Sequence, residues 1–123
     1  MVNKAMMLAL SEAIDKYGDL VYANGNKETL LKKGTEYKLI EGIKNGPQRI
    51  REALLKVGEI LEEDENKKTI IALIPSGSMN ASHALLVALY SENTVDIAAF
   101  FKEGLIKQHG ARQAIDKVEQ QLK

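Results

Sequence analysis

The residues best suited to chemistry lie in Pro75-Ser76-Gly77-Ser78-Met79-Asn80, which sets two hydroxyls and an amide around one glycine, with His83 shortly after. If an apolar strand ends here and a helix begins, the turn exposes backbone N–H groups at a helix N-terminus, a ready site for phosphate or carboxylate. One glycine does not make a phosphate loop, and no lysine follows as it does in the nucleotide-binding pattern. The simpler role for Ser78 or Asn80 is to cap the helix that follows. A serine nucleophile would need His83 as base and an acid to orient it, but no nearby carboxylate is evident and the nucleophile-elbow pattern is absent. Ser76, Gly77, Ser78, Asn80 and His83 are thus the ligand-binding set of an alternative reading, and no catalytic residue is assigned.

The second constellation is electrostatic. From Lys27 to Lys56 the chain carries Lys27, Lys32, Lys33, Lys38, Lys44, Arg49, Arg51 and Lys56 against Glu28, Glu36, Glu41 and Glu52. The acidic knot Glu62-Glu63-Asp64-Glu65 follows, so a formally neutral chain has a dipolar surface. Lys32, Lys33, Lys38, Lys44, Arg49 and Arg51 are the preferred nucleic-acid-binding residues, since phosphate-backbone contact needs positive charge and no base-reading code. Tyr37 is the one aromatic among them, which leaves little for base stacking. The competing view of this segment is a solvated charged face.

Metal and cofactor chemistry finds no support here. His83 and His109 stand apart without matched acids. The acidic knot lacks the Asp/Asn alternation and glycine of a calcium loop. Cysteine is absent, which removes thiolate ligands, a cysteine nucleophile and disulfides. No metal and no cofactor are expected.

The elements that position these groups follow from periodicity. Met6, Ala9, Leu10, Ala13, Ile14 and Tyr17 predict a helix from about Lys4 to Tyr17, stopped by Gly18. A short helix is expected over Lys27–Lys33, and Pro47 opens one whose apolar stripe is Ile50, Ala53, Leu54, Val57, Ile60 and Leu61. Thr69–Ile74 is continuously apolar, and its β-branched residues favour a strand over a buried helix. Asn80–Tyr90, apolar nearly all round, reads as a central helix, and Thr94–Ile106 and Gly110–Leu122 as a helical pair loosely like a helix-turn-helix.

The chain's 123 residues fit one domain, 1–123, with an aliphatic core, since only 5% are aromatic. No run approaches the ~20 apolar residues of a membrane helix, and no signal-peptide pattern opens the chain. A cytoplasmic protein that does not enter membranes is expected.

The fold expected is mainly α: a single compact domain of five to six helices with room for a small β element. The alternative is α+β with 69–74 as central strand. The function expected is that of a non-enzymatic interaction protein, a small subunit docking in a larger assembly through a protein partner or as a homo-oligomer. Nucleic-acid backbone is one candidate surface for its basic segment. The alternative is a small-molecule or phosphate-binding domain, conceivably an enzyme, using the 76–83 turn.

Overall fold

The apolar centre of the chain folds as sheet, not helix. The computed structural model describes residues 4–104 and 107–123. Along these the order is α1 (Lys4–Tyr17), α2 (Lys27–Gly34), β1 (Thr35–Glu41), α3 (Gly46–Val57), β2 (Glu59–Asp64), β3 (Thr69–Ser76), β4 (Ser82–Tyr90), β5 (Thr94–Phe100) and α4 (Gly110–Leu122), with short 3-10 turns at Gly18–Val21 and Ser78–Asn80. The strands form one antiparallel sheet in the order β1-β5-β4-β3-β2. The fold is thus α+β, and the expectation of a mainly α domain of five to six helices is overturned.

The physical reason lies in how the sheet is covered. α3 and α4 pack on one face, over Ile70, Ala72, Ile74, Leu86, Val95, Ile97 and Ala99. α1 packs on the other, over Ile71, Leu85, Val87, Ala98 and Phe100. A strand buried on both faces loses its polar alternation and reads as a continuous apolar run, which periodicity cannot separate from a buried helix. This is why β4 and β5 looked helical, and why the segment paired with α4 is a strand rather than half of a helical hairpin. Leu105 and Ile106, the end of that expected helix, lie outside the described residues. Thr69–Ile74 falls within β3, one place in from the edge, and β4 holds the centre.

The helices with a single apolar stripe form as their periodicity predicts. In α1, Met6, Leu10, Ala13 and Ile14 are buried at helical spacing. In α4 the buried stripe is Ala111, Ala114, Ile115, Val118 and Leu122. α3 opens with Pro47 in its first turn but stops at Val57, because Gly58 turns to extended backbone; Ile60 and Leu61, expected on its stripe, lie in β2 instead. Among the described residues, no helix is long and apolar enough to cross a membrane.

Candidate ligand cavity and the turn beside it

Because β4 follows it, the Pro75–Asn80 turn does not lead into a helix. It joins two strands, and no helix N-terminus opens at Met79. The premise for an anion site there is gone. Strand alternation also separates the members: Pro75 pairs with His83 and Ser76 with Ser82, which places the Ser76 and His83 side chains on opposite faces of the sheet. Ser76 is fully buried, and its hydroxyl has no hydrogen-bond partner among the described residues, whereas His83 is exposed. They cannot act as nucleophile and base.

The turn's backbone is taken up by α4 and the residue just before its cap. Gly77 N–H donates to Gln113 Oε1 at 2.9 Å, and Ser78 N–H donates to Gln108 Oε1 at 2.7 Å. Gln113 Nε2 in turn donates to the Gln108 carbonyl at 2.9 Å. Lys117 Nζ donates to the Pro75 carbonyl and to Asn80 Oδ1, both at 2.5 Å. Gly77 has φ +83°, and a Cβ there would approach Gln108 Oε1 to 2.7 Å and Phe101 Cζ to 2.8 Å. A Cβ on Gly110 would run into the same ring. Phe101 is therefore packed closely against two glycines, which docks the turn on the start of α4.

That helix start is itself occupied. Glu103 Oε1 accepts from Gln108 N–H at 2.5 Å and His109 N–H at 3.2 Å, and Oε2 accepts from Gly110 N–H at 3.0 Å. A carboxylate at the positive end of the helix dipole satisfies donors that the helix leaves unpaired. His109 stands just before the N-terminus of α4 with φ +56°.

The basic set is divided by the fold. Lys38 on β1 bonds Glu119 of α4 at 2.8 Å. Arg49 of α3 donates to the Leu122 carbonyl at 2.6 Å, closing the C-terminus of α4. Arg51 pairs with Glu63 of β2 at 2.8 Å. Lys44 is exposed in the turn before α3, beyond the far end of β1. Lys32 and Lys33 end α2 and line a cavity of about 710 Å³. Two lysines that sequence reasoning passed over, Lys102 and Lys107, line it as well. Its apolar wall is Leu30, Phe100 and Phe101, and its one acid, Glu103, already serves α4. Among the described residues, none of these four lysines forms an ion pair. No local signal could have found Lys102 and Lys107, since about seventy residues separate them from Lys32 and only the return of β5 beside β1 brings them close.

Elsewhere, two carboxylates that accept from lysines, Glu62 and Glu119, titrate low. Hydrogen bonds from Tyr17 (2.9 Å) and Lys16 (3.1 Å) hold the Glu62 carboxyl below its ordinary range, and Tyr17 is raised by the same bond. The hydrogen bond from Lys38 lowers Glu119 in the same way. No cluster of three or more His, Asp or Glu able to hold a metal occurs among the described residues. The chain matches no protein-family model, no curated protein and no solved structure.

Proposed function

We propose that this is a binding protein, not an enzyme, whose Lys32/Lys33/Lys102/Lys107 cavity takes a small phosphate-bearing ligand with an apolar part. The observation that carries this reading is four lysines gathered around one cavity that form no ion pair among the described residues. Other lysines of this fold are paired with carboxylates, as with Lys16–Glu62, Lys27–Asp15 and Lys38–Glu119. Four ammonium groups left together repel one another, and a multivalent anion relieves that repulsion. Leu30, half-buried on the cavity wall, offers contact to an apolar portion of the same molecule.

Docking in an assembly in the cytoplasm is the setting this reading assumes, and contact with nucleic-acid backbone through the same lysines is the second reading. A long polyanion track is less favoured, because Lys38, Arg49 and Arg51 are engaged within the chain.

The test is thermal unfolding at low salt with pyrophosphate, nucleoside triphosphates and sugar phosphates, beside anisotropy of labelled RNA and DNA. A melting temperature raised by about 3 °C or more by a small phosphate, and not in Lys32→Glu/Lys33→Glu, supports the ligand reading. Salt-sensitive RNA or DNA binding without any such shift supports the second reading. Silence in both assays overturns the cavity as a site.

A further inference from the structure

We propose that two copies of this chain pair through β1, antiparallel and two-fold about Tyr37, to make one continuous ten-stranded sheet. β1 stands at the sheet edge with β5 on one side, and among the described residues no strand pairs with its other side. Its seven residues run in unbroken register with β5.

The direction of its backbone groups follows from the ladder. Phe101 N–H donates to the Gly34 carbonyl at 3.0 Å, so Gly34 and Phe101 form a hydrogen-bonded pair. Antiparallel ladders alternate such pairs with non-bonded ones. Glu36, Lys38 and Ile40 therefore direct their backbone groups to β5, and Thr35, Tyr37, Leu39 and Glu41 direct theirs outward. An unpaired edge of this kind is a template for another strand.

Charge then selects the register. A two-fold axis normal to the sheet keeps each residue on its own face, so it can sit at Tyr37, Lys38 or Leu39. At Lys38 it sets two lysines opposite each other. At Leu39 it sets Lys38 against Ile40 and Tyr37 against Glu41. At Tyr37 it sets Glu36 of each copy against Lys38 of the other. Those two positions are non-hydrogen-bonded pairs, where opposed side chains come closest. They also lie on the α4 side, where Arg112 bonds Glu36 at 3.0 Å and Glu119 bonds Lys38 at 2.8 Å, so the charges alternate across the junction. On the other face Tyr37 meets Tyr37, and Leu39, 52% exposed, meets Thr35. Each outward pair, Thr35 with Leu39 twice and Tyr37 with Tyr37, exchanges backbone bonds in both directions.

The opposite edge is built against such pairing. β2 is broken by a bulge between Ile60 and Glu62, and it carries Glu59, Glu62, Glu63 and Asp64. Bulges and charge are the usual protection of an exposed edge. β1 has no bulge, and its charges complement a copy of itself.

The test is sedimentation equilibrium of the full chain, with disulfide trapping in a protein that has no cysteine of its own. The expected result is a dimer at about 100 µM that dissociates on dilution. Leu39→Pro removes an outward N–H and is expected to give a monomer with an unchanged circular-dichroism spectrum, since proline is tolerated on edge strands. If that variant loses the native spectrum, Lys38→Glu gives the reading, with dimer affinity expected to fall by about tenfold or more as like charges face each other. Under oxidation Tyr37→Cys is expected to link faster than Leu39→Cys, because opposed Cα atoms ~5.5 Å apart lie within disulfide range. A wild-type monomer at that concentration, a dimer that survives Leu39→Pro or Lys38→Glu, or faster linking at position 39 would each overturn the proposal.

Discussion

The Pro75–Asn80 turn packs on the ring of Phe101 and the lysine cavity is lined by the same residue, and they differ in where their polar groups end. In the turn, the backbone donors of Gly77 and Ser78 reach Gln113 and Gln108, and Lys117 binds the Pro75 carbonyl and Asn80. In the cavity, Lys32, Lys33, Lys102 and Lys107 form no ion pair among the described residues, and Glu103 is turned to α4. The turn has the residue types of a binding loop, but its groups are consumed in holding α4 to the sheet. The cavity has ordinary surface lysines, and it is their unpaired state in one place that points to a ligand. Residue type proposes a site, and hydrogen-bond accounting decides whether it is still available.

The comparison predicts that breaking the contacts which dock the turn on α4 costs stability and that changing the cavity lysines does not. The largest effect is expected from Gly77→Ala and Gly110→Ala. Each drives a methyl toward Phe101, and Gly77 also needs its positive φ, so urea unfolding should show a loss of about 3 kcal/mol. A loss below about 1 kcal/mol would mean that Phe101 does not clamp the turn to α4.

Glu103→Ala comes next. It leaves the N–H groups of Gln108, His109 and Gly110 without their acceptor, and about 1–2 kcal/mol should be lost in the same assay. Glu103→Ala also removes the cavity's only acid, so phosphate binding there should strengthen while stability falls. Equal losses of both would break the division drawn between the two regions.

Ser76→Ala should leave stability unchanged or raise it by up to ~1 kcal/mol, since the buried hydroxyl it removes has no partner among the described residues. A clear loss would show that the hydroxyl does work which the geometry does not display.

Acid sharpens the contrast between paired and unpaired lysines. Glu119 and Glu62 are held below the ordinary carboxylate range by Lys38 and by Tyr17 and Lys16. A depressed folded-state value contributes stability that is present above the unfolded value of about 4 and lost as pH falls through the folded one. Unfolding followed from neutral pH to about pH 3 should show this loss, reduced in Glu119→Gln and unaltered in Lys102→Gln. The smallest effect is expected from Lys32→Glu/Lys33→Glu, whose stability should stay within about 0.5 kcal/mol of wild type while phosphate binding disappears.

Legibility followed the physics of burial. The helices with one apolar face, α1, α3 and α4, show their period in the sequence, because one side meets water and must be polar. β4 and β5 do not, because helices cover both sides and nothing marks the twofold alternation. Losing β4 as a strand also created a false helix start at Met79, and with it the apparent anion site at Ser76–His83. Half of the lysine cluster was visible as Lys32 and Lys33. Lys102 and Lys107 were not, since their neighbours in space are distant in sequence.

By itself the sequence determined which segments are apolar, where single-faced helices run, the absence of cysteine chemistry, and the uneven charge of a formally neutral chain. These are local properties, set by composition and short-range spacing. Tertiary structure decided that the apolar centre is a sheet, which cations the fold absorbs, which remain around a cavity, and which strand is left at an open edge. Each of those depends on partners brought together across the chain: Glu119 for Lys38, Glu63 for Arg51, and, among the described residues, β5 for one side of β1 only.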